Sequence, residues 1–170
     1  ARDSIGNVQL LTRAIALAGA DPGLHRDYAE ALAWSGDRPG AIAEYTDLLR
    51  RSPNDPELLL RRGRLEVWNR DYVAAETDLR ASLARRPSHE TYALLGDVYR
   101  WRGDYKKSRQ AYAAALALSP GDSTALVGLA EVERERGEMV ASGIAAELGW
   151  TAQFTHSEDN AGFLYLAAGL

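Results

Sequence analysis

Residues 89–120 read HETYALLGDVYRWRGDYKKSRQAYAAALALSP. Side chains three or four positions apart in the first half place one stripe on a helix: Tyr92, Leu95, Gly96 and Tyr99. Gly103 and Asp104 interrupt this pattern, and a second helical stripe follows: Ser108, Tyr112 and Ala115. Pro120 ends the stretch, because proline cannot continue the interior of a helix. The stretch therefore predicts two helices joined by a short turn, with small side chains where the helices cross.

The same pattern recurs earlier in the chain. Three tryptophans, Trp34, Trp68 and Trp101, follow one another at steps of 34 and 33 residues. Three prolines keep the same two steps: Pro53, Pro87 and Pro120. Two independent markers with one period indicate a repeated structural unit of two helices.

These residues resemble the tetratricopeptide repeat, whose pattern is W-x2-L-G-x2-Y, then A-x3-F, then P. The resemblance covers about residues 5–148 and predicts units at 22–55, 56–88 and 89–122, a partial unit at 123–148 and a degenerate helix at 5–19. A second helix over 138–149 is one way to complete the partial unit. The second unit departs from the pattern at Arg62 and Glu66, which are four apart and are expected to form an ion pair on one helix.

The resemblance implies an all-α solenoid, a right-handed superhelix with a concave groove. Each helix pair cannot bury its apolar face alone, so neighbouring units must stack. In this family the groove residues come from the first helix of each unit. Carried over by position, the candidates are Arg26, Glu30, Ala33 and Trp34; Arg61, Arg64, Val67 and Trp68; and Asp97, Arg100 and Trp101.

Charge is unevenly distributed along the chain. Residues 50–109 carry more basic than acidic side chains, and both flanking segments carry more acidic ones. One interpretation is a central site for an acidic peptide or an anionic polymer. The other is a set of solvated arginines on helix surfaces.

A well-known ligand mode of this family is a clamp of Lys and Asn side chains on a peptide C-terminal carboxylate. Arg26 matches one clamp lysine, but Glu30 and Arg61 replace the asparagines. Glu90 and Leu94 stand where further cations belong. Because two carboxylates there would repel the ligand, we expect no such clamp.

The tryptophans at the ends of the first helices have two interpretations. Their rings can stack on peptide side chains or on sugar rings. Alternatively, each indole packs into the next unit and seals the turn.

Bulk composition excludes several function classes. The chain has 170 residues, 46% of them hydrophobic and 26% charged, with no cysteine, which fits a folded domain without disulfides. A net charge of −4 argues against nucleic-acid binding. No motif for a nucleophile, a phosphate loop or a metal is found, so we expect no enzyme activity, catalytic residue, metal or cofactor.

The last segment, 149–170, has a different pattern. Trp150, Ala152 and Phe154 alternate with polar or small residues, which favours a strand, and residues 162–166 give a second candidate strand. A β-hairpin and a short capping helix are both compatible with it. Two apolar segments of this length also match strands of a membrane β-barrel, so a membrane is expected as partner only if the tail continues into one. The chain begins with Ala1, and we expect a processed protein or a fragment.

Two functional hypotheses follow. The first is a non-catalytic scaffold that holds a protein or peptide partner in the groove. The second is the periplasmic module of an outer-membrane exopolysaccharide-export protein, which contacts polysaccharide or synthase partners. The second favours the bacterial periplasm or outer membrane over the cytoplasm. Open repeat ends also make end-to-end self-association an expected property.

Overall fold

The computed structural model describes residues 2–19 and 21–147, and within them the backbone forms eight helices and no strand. The helices are α1 (Arg2–Ala18), α2 (Pro22–Ser35), α3 (Arg38–Arg51), α4 (Pro56–Trp68), α5 (Tyr72–Arg85), α6 (His89–Trp101), α7 (Tyr105–Leu118) and α8 (Ser123–Glu147). The helical prediction is confirmed. The predicted β-hairpin or capping helix at 149–170 lies outside the described residues.

An aspartate begins the second helix of each pair. The carboxylates of Asp37, Asp71 and Asp104 accept hydrogen bonds from the backbone N–H groups of Gly40, Ala74 and Lys107 at 3.0, 3.2 and 3.1 Å, respectively. Such a bond satisfies one of the N–H groups that the first turn of a helix leaves unpaired. The tight turn after each tryptophan therefore ends at an aspartate, which caps the N-terminus of the next helix.

Helices pack in the order of the chain. The pairs α2–α3, α4–α5 and α6–α7 are joined through contacts of α3 with α4 and of α5 with α6, and α1 packs on α2. The first helices α4 and α6 also touch directly. This arrangement places side chains of successive first helices within reach of one another.

Small residues allow the third pair to pack closely, as the sequence predicts. A Cβ added to Gly96 would lie 2.6 Å from the ring of Tyr112, which is fully buried. The hydroxyl of Ser108 donates a hydrogen bond of 2.9 Å to the carbonyl oxygen of Gly96. Ala115 is also fully buried. Glycine at 96 is therefore required by packing against an aromatic ring.

The polar departures in the second unit form a buried ion cluster. Arg62 Nε lies 3.7 Å from Glu66 Oε1, which confirms the expected pair. A second carboxylate, Asp78 of α5, binds the same guanidinium more closely, and Thr46 of α3 accepts a hydrogen bond of 3.1 Å from Arg62 Nη1. The cluster thus joins three helices.

The chain divides into two compact units, residues 1–132 and 133–170. Helix α8 runs without a break from Ser123 to Glu147, so the prediction of a separate second helix from residue 138 is wrong. No aspartate follows Gly137 to begin a new helix, and Arg134 Nη1 and Glu138 Oε1 form an ion pair of 2.8 Å across it. No helix in the described part of the chain is both long and apolar enough to cross a membrane.

Candidate ligand-binding surface

The predicted groove residues lie on the three first helices α2, α4 and α6. Helix α2 carries Arg26, Glu30, Ala33 and Trp34; α4 carries Arg61, Arg64, Val67 and Trp68; and α6 carries Asp97, Arg100 and Trp101. Val67 is buried, whereas most of the others are at least partly accessible. The structure brings many of these side chains into contact with a neighbouring unit.

Three arginines bridge successive first helices to glutamates. Arg61 pairs with Glu30 of α2, and Arg64 pairs with Glu90 of α6. Arg100 Nη2 lies 3.0 Å from Glu131 Oε2 of α8.

These pairs bear on both interpretations of the basic middle segment, for three of its arginines. Arg61, Arg64 and Arg100 are neither solvated independently nor left as open cations, because each charge is compensated by a carboxylate of a neighbouring unit: the preceding one for Arg61 and the following one for Arg64 and Arg100. The surface is consequently less positive than the distribution of charge along the sequence suggests. The register between helices determines these pairs, since the partners are 26 to 31 residues apart.

The environment of Arg61 differs from that of a carboxylate clamp. Its Nε also donates a hydrogen bond of 2.9 Å to Glu57 Oε1, so two glutamates hold the guanidinium. Behind it, burial raises the pKa of Tyr45 to about 12, and the charge of Glu30 acts in the same direction. Tyr45 therefore stays protonated. Arg26 is exposed at the start of α2.

Asp97 serves the packing of its own unit. Its Oδ1 accepts a hydrogen bond of 2.6 Å from the hydroxyl of Tyr112. Burial raises the pKa of Asp97, although this hydrogen bond and the charge of Arg100 lower it. The carboxylate therefore anchors the aromatic ring that fills the space beside Gly96.

The three tryptophans are accessible. Their exposed fractions are 80% for Trp34, 52% for Trp68 and 46% for Trp101. Trp101 stacks on Tyr72 of the preceding unit with ring centroids 5.7 Å apart, and the guanidinium of Arg100 lies 5.6 Å from its centroid. Trp101 thus packs on the preceding unit rather than on the next one, and the packing interpretation is wrong for Trp34, whose ring is left open to solvent.

Two pockets lie along the tryptophans and share Trp68. The first pocket has a volume of about 90 Å³, and its walls include Trp34, Tyr45, Arg61 and Trp68. The second pocket has a volume of about 450 Å³, and its walls are formed by Val67, Trp68, Arg70, Tyr72 and Trp101. Aromatic side chains therefore line a pocket on either side of Trp68.

A third cavity of about 590 Å³ lies between α4, α6 and the segment that joins α7 to α8. Arg64, Glu90 and Asp97 line one side of it. On the other, His89 Nδ1 lies 2.6 Å from Asp122 Oδ2, and this hydrogen bond lowers the pKa of Asp122. The same carboxylate begins α8 by accepting a hydrogen bond of 3.0 Å from the N–H of Ala125.

Sequence reasoning did not assign several residues of this surface. Tyr45, Arg70 and Tyr72 line the pockets, and Glu90 and Glu131 neutralise groove arginines. One signal for Arg70 was present, because the other two units have glycine at the aligned position. The glutamates have no such signal, since their role depends on the neighbouring helix.

Comparison with known proteins relates two segments of the chain to a repeat family. Models of the tetratricopeptide repeat match residues 22–65 and 89–122. The search of curated proteins gives no match. Among solved structures, a crystal structure of MamA superposes with a TM-score of 0.73 at 18% identity and covers 79% of this chain and 80% of that one.

Two further structures are similar. MamA from Desulfovibrio magneticus RS-1, residues 41 to the end, has a TM-score of 0.71 at 22% identity, with 88% of this chain and 86% of that chain covered. The first TPR domain of Spaghetti (RPAP3), bound to an HSP90 peptide SRMEEVD, has a TM-score of 0.65 at 19% identity, with 68% and 93% covered. Residues 22–65 and 89–122 thus match the tetratricopeptide repeat, and the order of helix pairs shows that the described chain has the fold of a tetratricopeptide-repeat helical solenoid.

Proposed function

We propose that this chain is a non-catalytic scaffold that binds an extended segment of a partner protein along α2, α4 and α6. The observation that carries the proposal is the pair of adjacent pockets that share the exposed ring of Trp68. Exposed tryptophans at successive first helices provide large, rigid apolar surfaces, which are the usual energetic anchors of an interface. The peptide-bound TPR domain of RPAP3 offers a precedent for the fold.

The peptide is expected to bind through its side chains rather than through a C-terminal carboxylate. Arg61 is already held by Glu30 and Glu57, and Arg64 by Glu90. Releasing either guanidinium for a ligand carboxylate would leave a glutamate without its cation, which offsets the gain. This argument supports the expectation that a carboxylate clamp is absent.

Selection from a library of random displayed peptides against the purified chain tests the proposal. We expect enriched sequences with aromatic or large apolar residues, and calorimetry should show saturable binding. Trp68→Ala removes the ring that both pockets share and should weaken binding at least tenfold, which corresponds to about 1.4 kcal/mol.

Leu118→Ala is the matched control, because Leu118 is 53% exposed near the end of α7 and lines none of the described pockets. It should bind the selected peptides like the unaltered chain. Equal weakening by both substitutions, or no enrichment by the folded chain, would contradict the proposal.

The exopolysaccharide-export role stays a second candidate. The observation that favours it is the accessibility of the tryptophans, since indole faces also stack on sugar rings. Titration with cello-oligosaccharides and with acetylated and deacetylated glucosamine oligomers, followed by tryptophan fluorescence, separates polymer from peptide binding. Periplasmic location and contact with synthase partners remain predictions of this alternative.

End-to-end self-association also remains a prediction. Helix α1 exposes Leu10 and Leu17, seven residues apart and hence on the same side of the helix. Sedimentation of the chain over a range of concentrations measures it directly.

A further inference from the structure

The turns after the three tryptophans have one backbone conformation but different residues. The aligned positions are Gly36, Arg70 and Gly103, with φ angles of 94°, 62° and 75°. In this left-handed region a side chain costs roughly 1–2 kcal/mol, and glycine avoids that cost. Among the described non-glycine residues, Arg70 is the only one with positive φ. A strained residue at a position where glycine suffices indicates that its side chain has a use.

The side chain of Arg70 lines the second pocket. The other walls include the rings of Trp68, Tyr72 and Trp101, and the last two are stacked on each other. Arg70 is exposed and forms no ion pair with any residue of the described ranges. By contrast, neighbouring cations are engaged: Arg102 pairs with Glu76, and Arg100 pairs with Glu131.

The acidic residue next in the chain is already in use. Asp71 accepts a hydrogen bond of 3.2 Å from the N–H of Ala74 and begins α5. The second pocket therefore offers a guanidinium that has no ion-pair partner among the described residues, beside three aromatic rings. A guanidinium binds a carboxylate through parallel hydrogen bonds, and aromatic rings favour another ring in offset or edge-to-face contact.

We infer that Arg70, Trp68, Tyr72 and Trp101 form a subsite for an aromatic side chain that has a carboxylate beside it. Charge complementarity and a volume of about 450 Å³ favour this occupant within an extended acidic peptide. The inference rests on the proposed peptide-binding function and specifies which residue pair the second pocket selects. In this interpretation, the ionic contact of Arg70 with the partner offsets the backbone cost of its positive φ.

Two capped tetrapeptides test the inference: acetyl-Gly-Asp-Phe-Gly-amide and its counterpart with Asn in place of Asp. Each is titrated into the full chain, and the indole N–H signals are followed by nuclear magnetic resonance. The Asp peptide should shift the signals of Trp68 and Trp101, leave that of Trp34 in place, and bind about tenfold more tightly than the Asn peptide.

Two variants identify the cation. Arg70→Gln should abolish the preference for Asp, whereas Arg38→Gln removes one exposed positive charge outside the pocket and should keep it. Arg70→Gly should also lose the preference and should unfold at a temperature no lower than that of the unaltered chain. This second variant separates loss of binding from loss of folding.

Several outcomes would overturn the inference. Equal affinity for both tetrapeptides would reject the proposed contact between Arg70 and a carboxylate. Retention of the Asp preference in Arg70→Gln would reject it as well. Neither result would contradict the proposed peptide-binding function. Shifts caused by glucuronic acid oligomers and not by peptides assign the pocket to an acidic polymer. Shifts on concentrating the chain alone assign it to a second copy. Failure of the displayed library as well would reject the scaffold itself.

Discussion

The guanidinium of Arg62 faces the carboxylate of Asp78 edge on, with Nε 2.6 Å from Oδ2 and Nη2 2.8 Å from Oδ1. The hydrogen bond and charge of Asp78 raise the pKa of Arg62, although burial acts in the opposite direction. This bidentate contact ties α4 to α5 through Arg62, which stands where the repeat pattern has an apolar residue. It replaces part of an apolar contact with a charged one.

Removal of one partner from this pair should cost more than removal of both. Asp78→Ala leaves a partly buried guanidinium without its main acceptor, and we expect a loss of about 2–4 kcal/mol in the free energy of unfolding. Arg62→Leu with Asp78→Ala removes both charges and should lose less. Urea unfolding of the single and the double variant at the same pH measures the difference. A double variant as unstable as the single one would contradict this prediction.

Glu66 should make stability fall as pH rises. Burial, assisted by the charge of Asp78, raises its pKa from 4.5 to about 7, although Arg62 lowers it. Between these values the folded chain holds a proton that the unfolded chain has released. Stability attributable to this group is therefore full below pH 4.5 and is lost as pH rises to about 7. Within the described residues, Glu66 Oε2 has no hydrogen-bond partner.

Glu66→Gln isolates that contribution. The variant should match the unaltered chain at about pH 4.5 and should be more stable by about 2–3 kcal/mol above pH 8. Urea unfolding of both proteins across this range measures the difference, in which the other titrating groups cancel. A constant difference at every pH would refute the assignment to Glu66.

Gly96→Ala should destabilise the third helix pair. The added methyl group would lie 2.6 Å from the Tyr112 ring, which is fully buried and held by its hydrogen bond to Asp97. We expect a loss of about 1–3 kcal/mol, since overpacking forces side chains or backbone to shift. Gly137→Ala is the control, because nothing lies within 4 Å of the added carbon in α8. It should instead gain up to about 1 kcal/mol from helix propensity. Thermal unfolding compares the two variants.

Arg70→Gly should stabilise the fold by about 0.5–1 kcal/mol, because glycine relieves the cost of a positive φ but increases the entropy of the unfolded chain. Gly103→Ala is the reciprocal change at φ 75° and should destabilise by a similar amount. Chemical unfolding of both variants gives the two values. Effects of the same sign would contradict the prediction, because they would show that a side chain does not carry the same backbone cost in the two turns.

The sequence predicts the helices well because their signals are local. The tryptophans and prolines carry the period, and an aspartate after each turn begins the next helix. The pair Arg62–Glu66 was also accessible to sequence reasoning, since four residues separate its members on one helix. These features need no knowledge of how neighbouring units are placed.

The candidate surface was predicted less completely because its chemistry depends on register between units. The pair Arg64–Glu90 joins residues 26 apart, and no local pattern indicates which carboxylate faces which arginine. Likewise, the exposure of Trp34 depends on what its neighbours place beside it. In α8 a local signal was misleading, because the helix continues through Gly137. A glycine alone does not end a helix when no capping residue follows it.

The unequal pockets on the two sides of Trp68 also affect how a bound chain is positioned. Identical pockets in every unit would give an extended ligand several positions of equal energy, one repeat apart. Here one pocket of about 90 Å³ contains Arg61 held by glutamate, and the next, of about 450 Å³, contains Arg70 among three rings. Because the two pockets differ, positions of the ligand one repeat apart no longer have equal energy. A partner sequence would therefore bind in one preferred alignment and in one preferred chain direction.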